Sequence, residues 1–230
     1  MPTPTPLRPF LGLVGALAIL ASAACGKDAA APEPLAGILV VQGDSQSGQV
    51  GRALPTPVVL RAVGSSGDGI EGRAITLLIG TGGGTITPTG EETDSTGEIS
   101  ATWTLGPSAT TQSLLATAPG LDPIAVRATG IVPSQVMIVQ GNNQTAKAGI
   151  VLPTGIVIRV LGAGNVPMIG IALALQVTAG GGSFTPQTVL TNATGEATVS
   201  WTLGSVAGVN TASIQVSTLA PVTIGATGTP

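Results

Sequence analysis

The 230-residue chain has no histidine, no tyrosine and a single cysteine. Without His there is no Ser-His-Asp triad, no Cys-His pair and no His-ligated metal site. One Cys makes neither an intradomain disulfide nor a multi-Cys zinc site. Aromatic residues are 2% of the chain and charged residues 8%. Eight Lys and Arg against eleven Asp and Glu leave no basic footprint for nucleic acid. What is present is apolar and heavily punctuated: 43% hydrophobic residues, 34 Gly and 18 Pro. That apolar fraction, at so little charge, supplies a core and argues against solvated disorder. The length fits one or two domains.

Arg8 is the only charge before Lys27. An unbroken run of apolar and Gly residues extends from Phe10 to Leu20. It is shorter than the roughly 20 apolar residues that span a bilayer, and it matches the apolar region of an export signal. Ala21-Ser22-Ala23-Ala24 then lead into Cys25. Residues 1–24 therefore read as a signal peptide. Residues 25–36, largely small, charged or Pro, read as a flexible tether. This arrangement resembles the bacterial lipoprotein signal, whose cysteine becomes lipidated; Ser22 stands where that family prefers Leu. The resemblance implies lipidation of Cys25 and a membrane as partner through the anchor. Gly26 after the cysteine leans, on the same resemblance, toward an outer membrane or cell-surface location. The alternative is ordinary cleavage after Ala21-Ser22-Ala23, leaving Cys25 free near the mature terminus. The most apolar later stretch, Met168 to Val177, is short and reads as a buried strand.

The remainder is one unit written twice. A shift of 98 positions carries Ile38–Gly130 onto Val136–Gly228 without a gap. Roughly one position in three is identical, a domain-sized duplication rather than a solenoid. Domain 1 spans residues 37–131 and domain 2 residues 132–230. Within each copy, short runs of Val, Ile, Leu and Thr alternate with Gly, Pro, Asn, Asp and Ser clusters. The clearest strand is Glu98–Leu105, with Ile99, Ala101, Trp103 and Leu105 on one face. Its counterpart puts Ala197, Val199, Trp201 and Leu203 inward. The pattern predicts an all-β chain of two tandem immunoglobulin-like β-sandwiches held by aliphatic packing.

Several motifs recur in fixed order: Gly43 and Gln46 before Leu54-Pro55-Thr56-Pro57, the triplet Gly82-Gly83-Gly84, Thr93-Asp94 with Gly97, Trp103-Thr104-Leu105-Gly106, and a closing Ala128-Thr129-Gly130. Copy 2 departs by Gly155 for the last Pro and Asn192 for the Asp. Each copy resembles the group 1 bacterial immunoglobulin-like domain, the repeat of invasin and intimin adhesins. The resemblance covers residues 37–228. It implies a non-enzymatic structural or adhesion-type surface module, or alternatively a binding module for an extracellular polymer or an envelope protein partner. Fold alone does not choose between them.

Candidate chemistry is sparse. Trp103, Trp201 and Phe184 are the aromatics left after signal removal and read as core, which leaves no outward platform for sugars or single strands. Glu91, Glu92, Asp94 and Glu98 are oxygen ligands of the kind Ca²⁺ takes. Copy 2 has Val189, Leu190, Asn192 and Glu196 there, so a solvated charged turn is the better reading. The Gly triplets lack the Lys-Ser/Thr or helix start of a phosphate cradle and read as flexible connections. Two sequons, Asn143-Gln144-Thr145 and Asn192-Ala193-Thr194, read as chance behind a bacterial-type leader. No metal or cofactor is expected. Arg61 with Arg159, and Glu98 with Glu196, recur with the same sign. A strand offset on the order of 15 Å separates the members of each couple in this reading, making them solvated charges rather than an ion pair. Finally, the polar loop Ser65–Gly69 of copy 1 is replaced by Ala163–Ile169 in copy 2. Val166, Met168 and Ile169 are therefore candidates for contact with domain 1 or with a partner.

Overall fold

The computed structural model describes residues 1–2, 33–217 and 219–230. The signal segment, Cys25 and most of the tether lie outside the described residues. The first set of strands is β1 (Leu35–Gln42), β2 (Gln46–Gln49), β3 (Val58–Gly64), β4 (Thr76–Thr81), β5 (Gly84–Pro88), β6 (Glu98–Leu105), β7 (Thr111–Thr117) and β8 (Ile124–Ile131). They form two sheets, ordered β1-β3-β6-β5 and β2-β8-β7-β4. This is the division of an immunoglobulin-type sandwich. Its first strand is split between the sheets: β1 runs antiparallel to β3, and β2 runs parallel to β8.

The second set repeats the plan with β9 (Pro133–Gln140), β10 (Gln144–Lys147), β11 (Ile156–Gly162), β12 (Ala172–Ala179), β13 (Gly182–Thr185), β14 (Thr188–Leu190), β15 (Glu196–Leu203), β16 (Gly208–Gln215) and β17 (Val222–Thr229). Its sheets are β13-β15-β11-β9 and β10-β17-β16-β12-β14. The short β14 adds an edge beside β12 that the first sandwich lacks. Apart from one 3-10 turn at Ala163–Asn165, the regular structure of the described residues is thus β, two immunoglobulin-like sandwiches in tandem, and Pro34–Pro230 forms one compact unit.

Alternation along the central strands fills each core. Trp103 is 1% exposed and Trp201 0%. Phe184 is opposite Trp201 in register and stacks on it, ring centroids 5.2 Å apart. Ile86 takes the equivalent place opposite Trp103. The two cores are separate clusters of buried residues.

The repeated motifs turn out to be turn chemistry. Gln46 donates from Nε2 to the carbonyls of Gly43 at 2.9 Å and Thr56 at 2.8 Å, while its Oε1 accepts from Thr56 N at 3.1 Å. Gln144 repeats all three bonds with Gly141 and Thr154. One amide therefore ties the β1–β2 bend to the Leu-Pro-Thr segment. The Gly triplets are packed turns rather than loose connections. All six glycines have positive φ. A Cβ on Gly84 would meet Thr104 O at 2.2 Å, and one on Gly106 would meet Gly82 O at 1.9 Å. The triplet and the glycine closing Trp-Thr-Leu-Gly are two halves of one close approach. A fully buried amide stands beside it: Gln112 accepts from Gly106 N at 2.8 Å, and Asn210 from Gly204 N at 3.1 Å.

The expected separation of Arg61 from Glu98 is wrong. The two are directly opposite in the β3–β6 register and form a salt bridge, as do Arg159 and Glu196 between β11 and β15. Antiparallel pairing sets the late residues of one strand against the first residues of its neighbour, so the presumed offset vanishes. Arg61 and Arg159 are each 39% exposed along the side chain, so each pair is worth at most about 1 kcal/mol.

Because Gln46 closes a bend no other side chain bridges in the same way, Gln46→Ala is expected to cost the first sandwich about 1–3 kcal/mol. Gln144→Ala should cost the second sandwich a similar amount. Urea unfolding followed at the indole signals of Trp103 and Trp201 reads the two sandwiches separately. A loss below about 0.5 kcal/mol would mean the clamp is dispensable.

Candidate functional site

The residues with most to say about function meet where the sandwiches join. β8 ends at Ile131 and β9 begins at Pro133, leaving only Val132 between them. Ile131 pairs with Gln49 inside the first sandwich, yet its side chain is 6% exposed and belongs to the second core. The space it enters exists because residue 162 is glycine. A Cβ on Gly162 would lie 2.4 Å from Ile131 Cγ2 and 2.8 Å from Met168 Sδ. The backbone of Gly162 is extended, so the position needs glycine for room rather than for conformation.

A polar clamp flanks this wedge. Gln49 donates from Nε2 to the carbonyl of Ile169 and accepts from Ile169 N at Oε1, both at 2.8 Å. It reads the backbone of the second sandwich in both directions. Arg52 lies over Gly170, close enough that a Cβ there would meet its Nη2 at 2.6 Å.

The three residues expected to meet domain 1 or a partner divide between roles. Ile169 lines the cleft with Gln49 and Arg52 and supplies the clamped backbone. Val166 lines the same cleft while packing on the second core. Met168 is 0% exposed inside that core and reaches the joint only through Ile131 and Gly162, so it offers nothing to an outside partner. On the other side, Val50, Val132, Pro133, Ile171 and Leu219 border a shallow apolar cleft. Gln49 and Arg52 gave no signal in the sequence, because copy 2 has Lys147 and Ile150 at those positions.

The acidic group of copy 1 holds a turn. Asp94 Oδ1 accepts from Thr96 N at 2.8 Å, Thr96 Oγ1 at 2.6 Å and Glu98 N at 2.9 Å. Asn192 Oδ1 makes the same three bonds with Thr194 and Glu196. An oxygen acceptor is what the turn needs, whether charged or neutral. The same exchange occurs where Asp44 accepts from Arg127 N at 2.8 Å and Asn142 from Gly225 N at 2.9 Å. The Thr96 hydroxyl and the Glu98 and Thr96 amides hold the Asp94 carboxyl below its ordinary 3.8. The Arg127 amide does the same for Asp44. No group of three or more metal-ligating side chains occurs among the described residues. No helix among them is long and apolar enough to cross a membrane.

Fold and joint define the class: a tandem of immunoglobulin-type sandwiches with a shared apolar wedge. The sequence matches no known family and none of the curated proteins. Solved structures do resemble it. The Yersinia pseudotuberculosis adhesin InvE is similar over 83% of this chain and 58% of its own length, at 15% identity and a TM-score of 0.42. Invasin, described as a bacterial integrin-binding protein, is similar over 84% of this chain and 39% of its own, at 15% identity and TM-score 0.43. Domains 4 and 5 of the S-layer protein SbsC are similar over 85% of this chain and 99% of theirs, at 10% identity and TM-score 0.46. Invasin, whose repeat the motifs resemble, is one of the structures to which this chain is similar.

Two outcomes follow. Ile131→Ala should destabilise the second sandwich by about 2–4 kcal/mol, although the residue closes the last strand of the first; the Trp201 indole signal would report it in urea, and a loss confined to Trp103 would contradict the shared wedge. On acidification, stability from Asp44 and Asp94 is present in full above their ordinary value and is lost as pH falls through their lower folded values. Asn142 and Asn192 do not titrate. Below pH 3.8 the first sandwich should therefore lose stability faster than the second, and Asp44→Asn with Asp94→Asn should remove the difference. A steeper loss in the second sandwich would contradict this.

Proposed function

We propose that this chain is an exported, non-enzymatic module of the cell envelope, of structural or adhesion type. Cys25 is lipidated, the residues after it form a tether, and the two sandwiches are held off the membrane as a stiff pair. The observation that carries the reading is the joint. Load passing from one sandwich to the other meets a one-residue connection, a buried Ile131 and a two-way amide clamp at Gln49. Two modules with few contacts would instead move independently.

The disposition of the acidic groups supports the absence of catalysis. Asp44 and Asp94 are engaged as acceptors in turns, and Glu98 and Glu196 are paired with arginines. Acid–base work needs carboxyls converging on a site, and these are distributed along strand ends. A second reading, an accessory module that meets an envelope protein or an extracellular polymer, is favoured by the apolar cleft around Val50, Val132 and Leu219.

The anchor is tested by fractionating the producing cell. A diacylated and amide-acylated cysteine holds a protein stably, where a single chain binds only marginally. The wild-type chain is expected in the membrane fraction and to incorporate labelled fatty acid. Cys25→Ala is expected in the soluble exported fraction, without label. Wild-type protein that is soluble and unlabelled would overturn the anchor.

A further inference from the structure

Axial load meets a parallel pair of strands in each sandwich. It enters the first sandwich at Leu35, ahead of β2, and leaves at Ile131, the last residue of β8. β2 and β8 run parallel, with Gln46 opposite Ala128 and Gln49 opposite Ile131. Tension draws β2 back by its first residue and β8 forward by its last. Parallel strands drawn this way must slide along each other, so every bond between them is loaded at once. The second sandwich has the same patch, with Gln144 opposite Ala226 and Lys147 opposite Thr229. The flanking bonds match as well. Ser45 N donates to Arg127 O at 2.8 Å and Val50 N to Ile131 O at 3.0 Å; Asn143 N donates to Gly225 O at 2.8 Å and Ala148 N to Thr229 O at 2.9 Å. Asp44 and Asn142 accept across the two patches from Arg127 N and Gly225 N.

The joint separates two patches that otherwise correspond bond for bond. Gln49 is the last residue of β2, and its amide is bonded in both directions to Ile169 of the second sandwich. The second sandwich moves with β8, because the Ile131 side chain is buried in its core. Sliding β8 past β2 must therefore also tear Gln49 from Ile169. Lys147 stands in the place of Gln49 in the second patch, and its side chain makes no hydrogen bond among the described residues. The extra resistance thus belongs to the first sandwich alone, and it lasts only while the second sandwich is folded.

We propose that the chain is an extensible link that yields to axial load in a fixed order, the second sandwich first and the first sandwich after it. While both are folded, the Gln49 clamp slows rupture of the first patch, so the second gives way. Its unfolding dissolves the Ile169 backbone site, and the first sandwich is left with only its own patch. Forced rupture is governed by the unfolding rate, so two added bonds on one patch are enough to set the order. Unfolding of Pro133–Thr229 turns about 97 residues into extended chain and releases on the order of 300 Å of length. The sandwich beside the tether stays folded through that first extension. The use of this length in an envelope rests on the function proposed for the chain; the order of failure does not.

The test is single-molecule pulling at constant force on the exported chain with Cys25→Ser, between handles at Gly26 and after Pro230. A Gly-Ser insert of about 20 residues after Gly67, in an exposed loop, adds roughly 70 Å to the step of the first sandwich and so identifies it. The shorter step, that of the second sandwich, should come first in at least about four traces of five, because two bonds slow the first patch about fivefold or more. Gln49→Ala should raise the share of traces led by the longer step at least about threefold. Asn142→Ala, which removes an acceptor across the second patch, should shorten the wait before the first step about threefold or more. Wild-type traces led equally by either step or mostly by the longer one, an order untouched by Gln49→Ala, or a first wait untouched by Asn142→Ala would each overturn the proposal. Cell fractionation reads the envelope assignment and pulling reads the order of failure, so each can fail alone.

Discussion

Everything distinctive about this molecule depends on one side chain being counted in two places. Ile131 closes the last strand of the first sandwich by backbone pairing and fills the core of the second with its side chain. A covalent connection alone would leave two beads on a string. A shared buried residue makes separation of the sandwiches cost the burial of an isoleucine, about 1.5–3 kcal/mol, before the Gln49 clamp is considered. Gly162 is the concession that makes it possible, since any larger residue would occupy the space Ile131 takes. The clamp then fixes rotation: an amide that both donates to and accepts from one backbone residue has a single satisfying orientation.

The poverty of the composition is answered inside each sandwich by neutral amides. With few charges and three aromatics between the two sandwiches, the turns are held by Gln46 and Gln144, by Gln112 and Asn210, and by the Asp or Asn acceptors of the tight turns. Each satisfies backbone groups that a bend would otherwise leave unpaired. Neutral acceptors do this as well as charged ones, which is why copy 2 exchanges both aspartates for asparagines and keeps the bonds that close the turn and tie the bend to the last strand. What differs is the response to acid, because only the aspartates titrate.

Much of this was legible in the residues. The duplication, the strand at Glu98–Leu105 and the inward tryptophans follow from periodicity, and the sandwich from their spacing. The short strands β2 and β5 leave no such signal, since four or five residues such as Gln46–Gln49 carry no alternation to detect. The ion pairs are not legible along the chain, because antiparallel register rather than position within each strand is what brings Arg61 to Glu98. Gln46 was visible as an identity between copies, but its partners were not. Gln49 and Arg52 were invisible for the opposite reason. They serve a contact that only one copy makes, so repetition, the strongest signal in this chain, is silent about them.

The functional reading turns on whether the two sandwiches behave as one body. Residual dipolar couplings measured for backbone amides of both, in one weakly aligned sample, test it most directly. A fixed joint predicts that a single alignment tensor fits the amides of Leu35–Ile131 and Pro133–Thr229 together. Two tensors of different magnitude would mean that the sandwiches reorient independently, and that Ile131 and Gln49 do not hold them.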